Sequence, residues 1–240
     1  HLDWSRVTHN PVVIPLSPYT EGAKLSIAYL TAVLVWRIGG DGWSKDDTRW
    51  MQYIFTLIAV ADTCFIAHVP GPGIIVFMIV QAMFIKRHFS GASFVQLQQH
   101  WLLLFAVLGV CLVGIVSNAV LFWFPRLGVN DTFLIFNTYF LLLSCAMTGS
   151  AVAQHIGVFP RVNAQLAFVG LVSFYLCDFT VAGNLLFDQT TEGKAYVISS
   201  SLTWVFYGPA LVLLALSAYH PRVLGLQCDE SSSGADKKVK

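Results

Sequence analysis

Two aspartates lie in the middle of apolar sequence, where a carboxylate has no water to solvate it. Asp62 falls in the apolar run 48–68 and Asp178 in the run 163–187. A charged side chain near the centre of a membrane-spanning helix costs about 3 kcal/mol, so such residues are functional candidates by default. Asp62 lies 12 residues beyond Trp50 and Asp178 lies 13 beyond Gln165, so at 1.5 Å per residue both lie about 18–20 Å in, at one depth. The pair is therefore the first candidate for a site.

Two carboxyl groups that share a low-dielectric site do not both ionise readily, so one becomes a proton donor and the other a base. This arrangement suits acid-catalysed hydrolysis of an ether-type C–O bond, as in glycosidases. A proton or cation path, or structural pairing with Lys24 and nearby hydroxyl groups, remains open as an alternative. Lys24 begins the first apolar run on the same side. Other polar residues that could join the pair are Gln81, Asn137, Thr180, Asn184, Ser199, Ser200, Ser201 and Tyr207.

The sequence lacks the motifs of several other classes of functional site. None of the seven histidines forms an H-x-x-x-H or H-E-x-x-H pair, and the five cysteines form no C-x-x-C pair. Neither a G-x-S-x-G elbow nor a phosphate-binding loop occurs. We therefore expect no metal and no cofactor. A net charge of +1 gives no basic footprint for nucleic acid, so we expect no nucleic-acid partner.

The composition predicts that helices in a membrane position these residues. Hydrophobic residues make up 56% of the 240 and charged residues only 11%, against about 25% charged in soluble domains. The sequence thus predicts an all-α transmembrane helix bundle over residues 22–220. A span needs about 20 mostly apolar residues. The seven runs that qualify are 22–39, 48–68, 71–87, 99–123, 132–154, 163–187 and 196–219.

The distribution of lysine and arginine predicts the orientation of the bundle. Most basic residues lie on the same side of the bundle as the loop after the first run. Because cytoplasmic loops carry an excess of lysine and arginine, this side and the C-terminus are predicted to face the cytosol. Ten lie on that side: Arg37, Lys45, Arg49, Lys86, Arg87, Arg161, Arg222, Lys237, Lys238 and Lys240. Four lie on the other side: Arg6, Lys24, Arg126 and Lys194.

The two ends of the chain differ from the bundle in composition. Residues 1–21 hold three prolines and three charged residues, so we expect a surface segment or a truncated one there rather than a regular span. Residues 221–240 are expected to form a disordered cytosolic tail. Its Lys237 and Lys238 resemble a di-lysine signal for the endoplasmic reticulum. Another organelle membrane is the alternative location.

The sequence around both aspartates resembles the YhhN family of membrane proteins, the lysoplasmalogenases. Residues 55–66 read FTLIAVADTCFI and residues 73–77 read GIIVF, similar to that family's F-S-x-x-G-D-x-x-L followed by G-x-x-x-F. Residues 169–184 read VGLVSFYLCDFTVAGN, similar to G-A-L-x-F-x-x-S-D-x-x-x-A-x-N. Tyr207 and Lys24 also fall where the family has a tyrosine and a lysine. The resemblance covers about residues 22–220.

The resemblance implies an eight-helix bundle whose first helix is absent here or replaced by residues 1–21. It also implies hydrolysis of the vinyl-ether bond of a lysoplasmalogen to a fatty aldehyde and glycerophospho-ethanolamine or -choline. Asp62 and Asp178 would be the catalytic acid and base. The residues expected to bind substrate or water are Lys24, Gln81, Asn184 and Tyr207.

Two departures from the family pattern favour a second hypothesis. Gln81 and Phe84 occupy the places of a histidine and a tyrosine, and an amide cannot exchange a proton as an imidazole can. The chain would then be a catalytically silent relative that acts as a lipid-binding or structural subunit of a membrane assembly. A small proton-coupled transporter is a third possibility. The expected partners are a lysophospholipid substrate, bilayer lipids and, under the second hypothesis, membrane subunits.

Overall fold

The computed structural model describes residues 18–90, 92, seven positions between 101 and 116, 131–186 and 193–225. The described residues form α-helices and one short 3-10 turn, Gly39–Asp41. The helices with defined bounds are α1 (Pro18–Trp36), α2 (Lys45–Ile66), α3 (Pro70–Phe89), α4 (Asp131–Ile156), α5 (Arg161–Leu186) and α6 (Gly193–Leu216). The prediction of an all-α fold is therefore confirmed.

Local capping determines where α2 and α3 begin. The Ser44 hydroxyl accepts a hydrogen bond from the Asp47 amide at 3.1 Å, and two aspartates lie in the first turn of α2, next to the positive end of the helix dipole. α2 consequently begins at Lys45, three residues before the apolar run that predicted it. α3 begins at Pro70, where the missing N–H of proline costs no helical hydrogen bond.

The helices close into a ring. Each packs against its neighbours in the order α1, α2, α3, α4, α5, α6, and α6 packs against α1. The short connections make α2 antiparallel to α1 and α3, and α5 antiparallel to α4 and α6. The apolar core runs through the inside of this ring and draws residues from all of its helices. The ring has two ends, and the first turn of α2 lies at the same end as the last turns of α1, α3 and α6.

The prediction of seven spans is not upheld. Three helices are long and apolar enough to cross a membrane, namely Pro70–Phe89, Asn137–Ile156 and Arg161–Val181. The described apolar parts of α1 and α6, Gly22–Trp36 and Ser201–Leu216, are shorter. α2 is less apolar because four of its first five residues are charged. These counts apply to the described ranges alone.

Several sequence expectations fall on other parts of the chain. Most of the predicted fourth run, 99–123, lies outside the described residues, as do residues 1–17 and 226–240 with both tail lysines. Within the fourth run, the described positions are helical, and their large apolar side chains are exposed. α1 begins at Pro18, four residues before the first apolar run.

A buried ion pair and the hydrogen bonds around it connect three helices at the end of the ring where α2 begins. The Arg87 Nε donates to Asp47 Oδ1 at 2.6 Å, and its Nη2 donates to Asp47 Oδ2 at 3.0 Å. Arg87 also donates to the Ser217 hydroxyl at 3.1 Å and to the Ser217 carbonyl at 3.2 Å. The Asn163 amide on α5 donates to that carbonyl at 2.8 Å and to the Tyr219 carbonyl at 2.6 Å. These bonds link α2, α3, α5 and the segment after α6.

The backbones of α5 and α6 approach each other closely at Gly170. A Cβ atom placed on Gly170 would lie 2.8 Å from Leu214 Cγ and 3.1 Å from the Leu214 backbone nitrogen. The first distance is shorter than real Cβ contacts, and the second is tighter than most of them and involves a backbone atom that cannot rotate away. Small residues at such contacts let helix backbones approach closely. Gly170 therefore determines the spacing of α5 and α6.

Arg87→Met should lower the free energy of unfolding by about 3–5 kcal/mol, because it leaves the Asp47 carboxylate buried without a partner. The measurement is thermal unfolding of the purified protein in detergent. The double variant Arg87→Met/Asp47→Leu removes both charges and should regain most of this loss. An equal loss in the single and double variants would contradict the role of the charge pair.

Gly170→Ala should destabilise the protein by about 1–3 kcal/mol, because the added methyl group forces α5 and α6 apart. The matched control is Gly22→Ala in α1, where a Cβ would meet nothing within 4 Å. Because alanine favours a helix over glycine, the control should be neutral or slightly stabilising. Thermal unfolding of both variants measures the difference, and equal midpoints would disprove the close approach.

Candidate functional site

Asp62 lies in α2 and Tyr207 in α6, and the two side chains meet inside the ring. The Tyr207 hydroxyl donates a hydrogen bond to Asp62 Oδ2, and both residues are buried. Every residue flanking Asp62 within one turn of α2 is apolar or small, except Thr63, whose hydroxyl bonds back to the Ala59 carbonyl at 2.7 Å. The tyrosine is thus the hydrogen-bond donor that compensates the carboxyl group for lost water.

Asp178 lies in α5 and has a second tyrosine as its donor. The Tyr139 hydroxyl on α4 donates to Asp178 Oδ2. Tyr139 is buried, whereas Asp178 is partly accessible. The site therefore contains two carboxyl–phenol pairs, one between α2 and α6 and one between α4 and α5.

The two pairs lie side by side. The Asp62 and Asp178 carboxyl groups are near enough to interact electrostatically, and buried Cys177 lies close to both. The aromatic rings of Phe77 and Phe174 connect the two tyrosines. Centroid distances along this path are 6.5 Å from Tyr139 to Phe77, 5.8 Å from Phe77 to Phe174 and 6.4 Å from Phe174 to Tyr207. Four helices therefore bring two acids together in an aromatic enclosure.

Lys24 supplies a positive charge beside the two acids. It lies in the second turn of α1, and its ammonium is near enough to interact with both carboxyl groups. The Lys24 Nζ lies 5.3 Å from the centre of the Trp204 ring on α6, a cation–π contact. Lys24 itself is only partly buried.

Gln81 lies within the same enclosure on α3. Its side chain is fully buried, and neither amide atom has a hydrogen-bond partner among the residues described. The amide is close to the Tyr139 hydroxyl without forming a hydrogen bond of good geometry. A buried polar group without a partner costs about 1–3 kcal/mol, so Gln81 has unused hydrogen-bonding capacity directed at the site.

The remaining sequence-predicted residues contribute less to the described geometry. Asn184 lies on α5 beyond Asp178, but its side chain falls outside the described residues. Phe84, three residues after Gln81, is fully buried in the core. In the part of the chain with described side chains, no three His, Cys, Asp or Glu residues form a group that could hold a metal ion.

Sequence reasoning did not identify Tyr139. Within an apolar run, a tyrosine resembles any other buried aromatic residue, and Asn137 two positions earlier was selected as the polar candidate instead. The sequence did contain a usable signal. A buried tyrosine hydroxyl needs a hydrogen-bond partner, and Asp178 in the next apolar run could provide one. Tyr207 was identified both as a polar residue within an apolar run and through the family resemblance.

Comparison with protein-family models, with curated proteins and with solved structures found no match to this chain.

Tyr139→Phe and Tyr207→Phe should each lower the free energy of unfolding by about 1–3 kcal/mol, because each leaves a buried carboxyl group without its donor. The matched control is Tyr175→Phe on α5. Tyr175 packs against Phe140 at 5.8 Å, and its hydroxyl has no hydrogen bond among the described residues. Thermal unfolding in detergent measures all three. A control as destabilised as the other two would contradict the pairing.

Proposed function

We propose that this protein is a membrane-embedded hydrolase of the lysoplasmalogenase kind, with Asp62 and Asp178 as its acid and base. The observation that carries the proposal is the meeting of two inward carboxyl groups, each with its own tyrosine donor, in an aromatic enclosure. Two acids near each other in a largely apolar site take up different protonation states, as the reaction requires. The quoted resemblance supports the same chemistry and supplies the substrate class.

The reaction needs one proton donor and one base. One aspartate, protonated, gives its proton to the vinyl-ether carbon remote from the oxygen, and an oxocarbenium ion forms. The other, as a carboxylate, stabilises this cation and removes a proton from water as the water adds. The resulting hemiacetal collapses to a fatty aldehyde and a free hydroxyl group on the glycerol. The water supplies the proton that restores the acid, so both carboxyl groups return to their starting states.

The tyrosines orient the acids, and Lys24 is suited to the substrate phosphate. Each phenol holds its carboxyl group by one oxygen and leaves the second oxygen for substrate or water. Lys24 lies near both acids and retains partial exposure, so it can pair with the phosphate of a lysophospholipid. Asn184, by the resemblance, would help orient the substrate or water.

We further propose that the chain is embedded in the membrane of the endoplasmic reticulum, with its C-terminus on the cytosolic side. Three helices have the length and composition to cross. Exposed apolar side chains on α1 and α6, such as Leu30 and Val205, support the same role for these shorter helices. The basic residues at one end and the tail lysines support the orientation and the compartment.

Gln81 favours a second candidate function, a catalytically silent lipid-binding or structural subunit. Its buried amide occupies the place of a titratable family residue, and it cannot transfer a proton. If the reaction needs a third proton-transfer group, this chain would bind lipid without turnover. Gln81→His would then confer or increase activity.

The test of the hydrolase is aldehyde release from lysoplasmenyl-ethanolamine by purified protein in detergent. Asp62→Asn and Asp178→Asn should each reduce turnover by at least about 100-fold, because an amide neither gives nor takes the proton. Asparagine keeps an oxygen that accepts the tyrosine hydrogen bond, so these variants should remain folded. The control is Asp41→Asn, an exposed aspartate at the far end of the ring.

Each outcome points to one of the two candidates. Turnover in the wild type that only the two site variants abolish supports the hydrolase. Absence of turnover in folded wild-type protein, with turnover in Gln81→His, supports the silent relative. Wild-type turnover that survives both asparagine substitutions would overturn the assignment of the acids.

A further inference from the structure

A cleft of about 590 Å³ opens at the end of the ring opposite the two acids. The first turns of α2 line most of this cleft, and Val158 and Phe159 line another part of it. Asp47 lines the cleft and lies 15 residues before Asp62, so the two sites are roughly 22 Å apart along α2. The cleft is therefore separate from the candidate active site.

The ion pair between Arg87 and Asp47 forms the buried floor of this cleft. The guanidinium and the carboxylate bond to each other twice, and Arg87 uses its remaining described bonds on Ser217. The Arg87 guanidinium also lies 5.0 Å from the Phe159 ring centre. These two charges neutralise one another, so a ligand would interact with other groups on the walls.

Two exposed charges of opposite sign line the same cleft. Asp46 and Arg49 are three residues apart on α2, and both are exposed. Within the described ranges, neither makes an ion pair or a hydrogen bond through its side chain. A purely anionic ligand would be repelled by Asp46, and a purely cationic one by Arg49. A ligand that carries both charges complements both walls.

Aromatic rings make up much of the remaining wall. Trp43, Trp50 and Tyr53 all line the cleft, and Trp43 and Tyr53 are exposed. The protein's own Lys86 places its ammonium 4.3 Å from the centre of the Trp50 ring, so this wall already holds one cation by its π face. Aromatic walls favour a quaternary ammonium, which donates no hydrogen bonds, over a strongly hydrated primary one.

We propose that this cleft binds the phosphocholine headgroup of a bilayer lipid. Arg49 pairs with the phosphate, while Asp46 and the rings of Trp43 and Tyr53 hold the trimethylammonium. The cleft lies at the end of helices that are apolar enough to cross a membrane, and tryptophan and tyrosine are enriched at the headgroup level. The proposal does not depend on hydrolysis at the two acids.

The test uses the full-length protein in a maltoside detergent, which carries no choline. Titration calorimetry compares phosphocholine, phosphoethanolamine, inorganic phosphate and tetramethylammonium. Dihexanoyl-phosphatidylcholine below its micellar concentration represents the lipid. The variants are Arg49→Gln and Asp46→Asn. Lys45→Gln is the matched control, because Lys45 is an exposed cation of the same helical turn that does not line the cleft.

Phosphocholine should bind more tightly than the other three small molecules, and the short-chain lipid more tightly still. Arg49→Gln should weaken both by about fivefold, a loss of roughly 1 kcal/mol. Asp46→Asn should weaken phosphocholine while leaving phosphate no weaker, and Lys45→Gln should change neither. Because both cleft residues are exposed, the variants should unfold at the wild-type temperature.

Three results would overturn the proposal. The first is phosphocholine binding no tighter than phosphate. The second is a loss in Lys45→Gln equal to that in Arg49→Gln, which would indicate general charge attraction. The third is equal affinity for phosphocholine and the short-chain lipid, which would point to a soluble ligand instead of the bilayer.

Discussion

The ion pair between Arg87 and Asp47 is the constraint on which the rest of the bundle depends. Removing two charges from water is costly, and the pair is tolerable only with nearly complete hydrogen bonding. Its bonds fix α2 and α3 against the end of α6. From there, Asp62 lies roughly 22 Å along α2 and Tyr207 roughly 15 Å back along α6. Side chains lean toward the N-terminus of their helix, so in this antiparallel pair the two lean toward each other and close the gap.

The same physical rule, that a buried polar group needs a partner, shapes both ends of the ring. At one end a guanidinium satisfies a carboxylate, and at the other two phenols satisfy two carboxyl groups. A phenol holds an acid without neutralising it, whereas a guanidinium fixes it as a carboxylate. The end with tyrosine partners can therefore exchange protons, and the end with arginine is structural. Gln81 is the described exception near the acids, and its unused amide bears directly on whether the site turns over.

Sequence alone predicted much of this fold because apolar runs are long and ionisable residues within them are rare. Hydropathy located each helix with defined bounds to within a few residues. It detects apolar sequence, however, and not the residues at which a helix begins or ends. α2 accordingly extends to its Ser44 cap, beyond the run. Asp62 and Asp178 were recognisable by their apolar surroundings. Arg87 and Asp47 were not, because charges beside a helix end resemble an ordinary solvated flank. Tyr139 was missed because its role depends on which helix packs beside α4, and that is a property of the assembled ring.

The contact of Gly170 with Leu214 has a consequence for how the sequence can drift over evolution. Since the space over Gly170 is filled by one side chain of α6, the volumes at the two positions are complementary. An alanine at position 170 would be better tolerated beside a valine or alanine at position 214, because only the tight contact with the Leu214 backbone would then remain. The two positions should therefore covary among related chains, while exposed residues of α5, such as Phe179, change independently.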